Sequence, residues 1–153
     1  MKLRVLLVED DHIQRQNARQ AIENAIEAEV ETKSTEWEFQ RDFEAIAANP
    51  PHVAVLDIML RWANPAADMP SAPTDVTSSS EAGLRCARRL LSDERTRDVK
   101  VLLYSVLAKD DLGERPPEGA DCVIKEVDFE NLIERIRGAR AGLRLVPPAV
   151  RKN

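Results

Sequence analysis

Residues 52–57 read HVAVLD, with four apolar residues between a histidine and the acid Asp57. A short run without alternating polar residues is typical of a strand that is buried on both faces of a parallel sheet. A similar run, LRVLLV at residues 3–8, leads directly into the acids Glu9 and Asp10. The two runs predict two strands of a parallel sheet, each ending in carboxylates.

Strand-like and helix-like segments alternate along the rest of the chain. Further strands are predicted at residues 29–33, 99–104 and 122–124, and helices at 13–26, 36–48, 81–91, 108–114 and 129–141. On the helix at 36–48, Trp37, Phe43 and Ile46 are expected to face the core. Parallel strands need crossover connections, and right-handed helical crossovers cover both faces of a sheet. The sequence therefore predicts an α/β fold with a doubly wound parallel sheet of five strands.

The composition is that of one globular domain. The chain has 153 residues, of which 43% are hydrophobic and 32% charged. A formal net charge of −5 argues against sequence-independent binding to nucleic acid, which requires a basic surface. No apolar run approaches the ~18 residues that span a bilayer, and the N-terminus lacks the pattern of a signal peptide, so we expect no membrane segment and a cytoplasmic location. Cys86 and Cys122 form no C-x-x-C motif and are expected to be buried, unpaired thiols.

Polar residues close four of the predicted strands. Glu9 and Asp10 follow the first, Asp57 the third, Ser105 the fourth and Lys125 the fifth. The carboxyl ends of parallel strands share one edge of the sheet, where ligands bind. Crowded carboxylates repel one another unless a cation intervenes, and oxygen ligands suit Mg²⁺. The pattern therefore predicts a Mg²⁺ site in which one carboxylate can attack phosphorus while the metal and Lys125 offset the developing charge.

These segments resemble the receiver domain of bacterial response regulators. The matching stretches are VLLVEDD at 5–11, VAVLDIML at 53–60, VLLYS at 101–105 and GADCVIK at 119–125. The resemblance implies a flavodoxin-like (βα)5 receiver domain over residues 1–141, with a long insertion at 61–80 and a flexible tail at 142–153.

The resemblance also implies a role for each residue of the predicted site. Asp57 would be the phosphoacceptor, and Ser105 and Lys125 would bind the phosphoryl group, with Ser105 as the hydroxyl switch. The implied metal ligands are Glu9, Asp10, Asp57 and the backbone carbonyl of Met59.

A phosphoreceiver of a two-component or phosphorelay system is the function that this resemblance implies. Its phosphodonor would be a histidine kinase or a histidine phosphotransfer protein, and its signal would pass to a downstream protein target through altered binding. Such a domain is a regulatory phosphoacceptor rather than an enzyme, and homodimer formation stays open. The alternative is a pseudo-receiver, a protein-interaction module that is not phosphorylated. A phosphatase with an aspartate nucleophile is disfavoured, because Asp57 is not the first residue of a D-x-D motif.

The chain departs from the receiver pattern at four places, one of which is the stretch at 110–118, which is short for a full fourth helix because Pro116 and Pro117 would break it. Glu126 replaces the proline that usually follows the site lysine, so the usual cis peptide is not expected there. Cys122 stands at the usual position of a switch aromatic. The insertion at 61–80 is predicted to be either disordered or a lid or partner-binding loop that acts through Trp62 and Met69.

Overall fold

The computed structural model describes residues 2–63, 81–106, 112 and 115–145. In chain order, its elements are β1 (Leu3–Val8), α1 (His12–Ala25), β2 (Ala28–Lys33), α2 (Glu36–Arg41), α3 (Phe43–Ala48), β3 (Val53–Asp57), α4 (Ala82–Ser92), β4 (Lys100–Ser105), β5 (Ala120–Ile124) and α5 (Glu130–Leu145). Three predictions concern residues outside this part of the chain: nearly all of the helix at 108–114, most of the insertion at 61–80 including Met69, and the tail beyond residue 145.

The five strands form one sheet in the order β2-β1-β3-β4-β5, and every neighbouring pair is parallel. The chain winds outward from β1 to β2 on one side and then from β1 through β3 to β5 on the other. The direction of winding therefore changes between β1 and β3, which places the carboxyl ends of these two strands at the switch point where such sheets bind ligands. The predicted doubly wound parallel sheet is confirmed.

Two apolar layers hold the helices against the sheet. Leu6, Leu56 and Leu103 point into the layer beneath α2, α3 and α4, whereas Leu7 and Leu102 point into the layer beneath α1 and α5. All residues of β3 are buried, as expected for a strand covered on both faces. Because fully burying one such side chain contributes about 1.5–3 kcal/mol, the central strands supply much of the stability that orients the strand ends.

The prediction of one helix over residues 36–48 was wrong, because the helix is interrupted at Asp42. The Asp42 backbone leaves the helical region, with φ −95° and ψ 6°. Its carboxylate accepts hydrogen bonds from the Arg41 guanidinium and, at 2.8 Å, from the Lys33 ammonium on β2. These bonds hold the pKa of Asp42 well below its ordinary value. A segment whose own periodicity favours a continuous helix is thus divided at a residue whose side chain bonds both its neighbour and a strand.

Side-chain burial also departs from prediction at two positions, Trp37 and Cys122. Trp37 was expected to face the core, but Phe39 is the fully buried aromatic residue of α2, and Trp37 lies half-buried beneath the Arg41 guanidinium. Cys86 is buried as expected, whereas Cys122 is only partly buried, and neither cysteine forms a disulfide. The last helix was predicted to end at residue 141 but continues to Leu145. None of the helices in the described ranges combines the length and the apolar character that crossing a membrane requires.

Gly83 allows α4 to approach the end of β3. Its amide donates a hydrogen bond to the Ile58 carbonyl at 2.9 Å. A Cβ atom at this position would lie 2.2 Å from the Asp57 carbonyl oxygen and 2.6 Å from the Ile58 Cα. No side chain fits at that distance from backbone atoms, so the position of Asp57 depends on a glycine in the first turn of α4.

Replacing Gly83 with alanine should therefore destabilise the protein by about 2 kcal/mol or more, since the clash is with backbone that cannot rotate away. Gly138→Ala in α5 is the matched control, because nothing lies within 4 Å of a Cβ atom there. The control should be stabilised by about 0.5–1 kcal/mol through the higher helix propensity of alanine. Urea unfolding of the two variants measures both values, and equal stability of the Gly83 variant and the unaltered protein would contradict the packing argument.

Candidate functional site

Three carboxylates from two strand ends share one small region. Glu9 and Asp10 directly follow β1, Asp57 ends β3, and each offers an oxygen within 4.8 Å of the others. Glu9 and Asp57 are 3% and 7% exposed, whereas Asp10 is partly exposed. The strands β1 and β3 are hydrogen-bonded neighbours, with Val8 opposite Leu56, so residues that follow them emerge side by side. The clustering predicted from the strand ends is thus present in the fold.

The ammonium group of Lys125 connects two of these acids. Its Nζ donates to Glu9 Oε2 at 3.0 Å and to Asp57 Oδ2 at 3.1 Å. The Lys125 amide donates to the Ser105 carbonyl at 2.7 Å, which holds the residue against the end of β4. The peptide between Lys125 and Glu126 is trans. The lysine therefore reaches both carboxylates without the proline that the receiver pattern usually places after it.

Crowding of charge shifts the ionisation of this cluster. Burial, and then the charge of Asp57, raises the pKa of Glu9 to about 7, although Lys125 opposes the shift. Burial alone would lower the pKa of Lys125, but the negative charges of Asp57 and Glu9 raise it above its ordinary value. The Lys125 ammonium group and the exposed Arg61 guanidinium thus face three carboxylates, and the remaining negative charge favours a further cation.

The other predicted site residues lie around this cluster. Ser105 is buried at the end of β4, one residue beyond Tyr104, which is the register partner of Asp57. The Met59 amide donates to Asp57 Oδ1 at 3.2 Å, while its side chain is exposed. Trp62 is half-buried and its carbonyl accepts from the Trp37 amide at 2.8 Å, so it faces the start of α2.

Sequence reasoning missed two residues of the site. The Arg61 amide donates to Asp10 Oδ2 at 3.1 Å, and the Arg61 Nε lies 3.7 Å from the same oxygen. The Tyr104 ring lies beneath Lys125, with the lysine Nζ 5.3 Å from the ring centre. The only sequence signals were a basic residue at the start of the insertion and an aromatic residue directly before Ser105. Neither signal indicates that Arg61 contacts Asp10 or that Tyr104 contacts Lys125, because these partners are distant in the sequence.

Tyr104 carries a buried hydroxyl group. Within the described part of the chain, this group completes no hydrogen bond of normal geometry, although the Glu126 amide lies nearby. Burial, followed by the charges of Glu9 and Asp57, raises the pKa of Tyr104 to about 12. Tyr104 therefore stays neutral, and its ring packs against the Lys125 ammonium group without adding a charge.

The donor set fits a hard divalent cation. Three carboxylates provide oxygen ligands only, and oxygen ligands around a small centre are the environment that Mg²⁺ prefers. The pKa of Glu9 is raised by burial and then by the negative charge of Asp57, and a bound cation would offset both effects. Glu9, Asp10 and Asp57 are the residues that would hold such an ion.

Comparison with known proteins identifies the fold. No family model and no curated protein matches the chain. Among solved structures, a BeF3-activated DrrB receiver domain superposes with a TM-score of 0.65 at 23% identity, covering 92% of this chain and 99% of the other. A signal receiver domain from Clostridium thermocellum gives 0.68 at 13% identity over 91% and 98% of the chains. The phosphorylated cyanobacterial phytochrome response regulator RcpA gives 0.63 at 19% identity over 97% and 100%. The chain thus has the flavodoxin-like fold of response regulator receiver domains.

The raised pKa of Glu9 predicts a specific pH dependence of stability. Because the folded protein binds this proton more tightly than the unfolded chain, stability falls as pH rises from the ordinary value of 4.5 to about 7 and is then constant. Glu9→Gln removes the carboxyl group that ionises. Between about pH 5 and pH 8, the free energy of unfolding of the unaltered protein should therefore fall by on the order of 2 kcal/mol relative to that of the variant. Urea unfolding in the presence of a chelator measures this difference.

Glu134→Gln on the exposed side of α5 is the control for this experiment. Its unfolding free energy should follow that of the unaltered protein at every pH. Parallel pH profiles for the Glu9 variant and the unaltered protein would show that Glu9 ionises normally in the folded state.

Proposed function

We propose that the chain is a Mg²⁺-dependent phosphoreceiver that accepts a phosphoryl group on Asp57. The observation that supports this most is the Lys125 ammonium group, which bonds both Glu9 and Asp57 at the edge of the sheet where Asp10 also lies. A buried carboxylate that contacts an ammonium group beside a cation site has the surroundings that an attack on phosphorus requires.

In the proposed reaction, an Asp57 oxygen attacks the phosphorus of a phosphohistidine on the donor protein. The bond from phosphorus to the imidazole nitrogen breaks as the bond to the Asp57 oxygen forms, and the imidazole keeps the electron pair. Glu9, Asp10, Asp57 and the Met59 carbonyl would hold Mg²⁺, which would supply positive charge to offset that of the phosphoryl oxygens.

Lys125 and Ser105 bind the product in this proposal. Lys125 exchanges its hydrogen bond to the Asp57 carboxylate for one to a phosphoryl oxygen, which keeps the ammonium group paired. Ser105, at the end of the adjacent strand, donates its hydroxyl hydrogen to a second phosphoryl oxygen. Both residues act by hydrogen bonding and charge, so the chain needs no further catalytic group.

A histidine kinase or a histidine phosphotransfer protein is the donor that this chemistry implies, and the receptor of the signal is a protein whose binding depends on phosphorylation. We place the reaction in the cytoplasm as part of the same proposal. A homodimer is compatible with it, and so is a monomer.

A pseudo-receiver is the second candidate, and two observations favour it. Cys122 is half-buried where receivers usually carry an aromatic residue, and Glu126 follows Lys125 through a trans peptide. The two hydrogen bonds of Lys125 count against it, because an interaction module has no need to hold an ammonium group between two buried carboxylates. Phosphorylation in solution distinguishes the two candidates.

Incubation with a small-molecule phosphodonor such as acetyl phosphate and Mg²⁺ should add the mass of one phosphoryl group. Asp57→Asn should abolish the adduct, because an amide oxygen is a poor nucleophile. Asp98→Asn, at an exposed position before β4, should be phosphorylated as well as the unaltered protein. Intact-protein mass spectrometry reads all three, and an adduct that survives in the Asp57 variant would remove the proposed role.

Loss of a metal ligand should weaken Mg²⁺ binding more than loss of a neighbouring charge. Asp10→Asn is expected to raise the Kd for Mg²⁺ at least about tenfold, since even outer partners of metal ligands cost about 10–100-fold. Asp11→Asn is the control, because the Asp11 carboxylate caps α1 by accepting from the Gln14 amide at 2.8 Å and asparagine caps equally well. Isothermal titration calorimetry measures both, and equal effects would show that Asp10 acts through charge alone.

A further inference from the structure

We propose that Arg61 is an internal counter-ion of Asp10 that a divalent cation must displace, and that this displacement is transmitted to the first turn of α2. The inference rests on the proposed function and adds how occupancy of the metal site would be communicated to the rest of the fold. It depends on four contacts, which run from Asp10 through Arg61 to α2 and then to α4.

The first contact is between Arg61 and Asp10. The Arg61 amide and the Arg61 guanidinium both approach Asp10 Oδ2, at 3.1 Å and 3.7 Å. A carboxylate oxygen that is shared with a guanidinium group is less available to a metal, because both cations compete for the same negative charge. The Arg61 side chain is 64% exposed, so its release costs little and the competition is reversible.

The second and third contacts join the same segment to α2. The Glu36 amide donates to the Arg61 carbonyl at 3.0 Å, and the Trp37 amide donates to the Trp62 carbonyl at 2.8 Å. The first amides of a helix have no partner within the helix, so these two carbonyls satisfy groups that would otherwise be unpaired. If the Arg61 backbone, whose amide also bonds Asp10, moves away from that carboxylate, these bonds lengthen or the start of α2 moves with it.

The fourth contact connects α2 to α4. The Glu36 carboxylate is 1% exposed and receives two bonds from Arg85, at 2.8 Å from Nε and 2.7 Å from Nη2. A bidentate pair with a buried partner holds its geometry well, because separating it would leave an unpaired charge in the interior. A shift at the start of α2 therefore reaches α4 through a rigid connection, and the α2–α4 face is the surface that responds to the site.

Sequence position gives Arg61 a second distinguishing feature. It is the first residue of the insertion at 61–80 and lies four residues beyond Asp57. The first residue of the insertion is thus a cation that lies next to the site. The contact with Asp10 shows that this cation is directed towards the acidic cluster.

A Mg²⁺ titration followed by amide NMR tests both parts of the proposal. Arg61→Gln should lower the Kd for Mg²⁺ about two- to fivefold, the range expected for removal of an exposed ion pair. Arg61→Lys keeps the charge and should stay near the unaltered protein. The Glu36 and Trp37 amide signals should shift with Mg²⁺ in the unaltered protein, and in the Gln variant they should lie part of the way towards their Mg²⁺-bound positions before any metal is added.

Arg15→Ala is the matched control for charge alone. Its guanidinium lies beside the same cluster but donates to the Glu9 carbonyl at 2.9 Å rather than to a carboxylate. Removing it should change the Kd less than Arg61→Gln does. Circular dichroism verifies folding, and Arg61→Ala serves as a second neutral variant if the first is unstable.

Three results would overturn the inference: an unchanged or higher Kd in both neutral Arg61 variants, an equal effect of Arg15→Ala, or Glu36 and Trp37 amides that do not respond to Mg²⁺. Each of these leaves the proposed phosphoreceiver intact as long as the unaltered protein binds the metal. If the unaltered protein binds no Mg²⁺ at all, the inference and the metal-dependent function both fail.

Discussion

Repulsion among three carboxylates at one edge of the sheet is the constraint on which this structure depends. Glu9, Asp10 and Asp57 offer oxygens within 4.8 Å of one another, and burial together with the charge of Asp57 raises the pKa of Glu9 to about 7. A cation that follows the edge strand β5 offsets part of this charge, because the Lys125 ammonium group bonds Glu9 and Asp57. The close packing of α4 at Gly83 keeps the end of β3 in place beneath this arrangement.

A second cation, Arg61, contacts the same cluster from another part of the chain. Lys125 arrives from β5, whereas Arg61 arrives from the start of the insertion and contacts Asp10. The two cations differ in exposure, since the lysine side chain is 16% exposed and the arginine side chain 64%. The buried cation thus holds the carboxylate cluster together, and the exposed one is the group that we propose an incoming metal ion replaces. Because the Arg61 carbonyl also bonds the Glu36 amide, the exposed cation connects the proposed metal site to α2.

Local periodicity accounted for the elements, but not for their finer structure. The apolar runs at β1 and β3 located both strands and the acids that follow them, because a doubly covered strand needs a continuous apolar sequence. The break at Asp42 was missed, since no local pattern shows that this residue bonds Lys33 on another element. The burial of Phe39 in place of Trp37 was missed for a related reason, as the rotation of a short helix is set by what it packs against.

The sequence by itself determined the order of strands and helices and the polar residues that close the strands, because both follow from the chemistry of consecutive residues. Parallel strands then brought Glu9, Asp10 and Asp57 to one edge without further information. Only the tertiary structure decided that Lys125 bridges two of them and that Arg61 takes the third. Those contacts join residues 116, 68 and 51 positions apart, and no local pattern specifies which distant charge a carboxylate will meet.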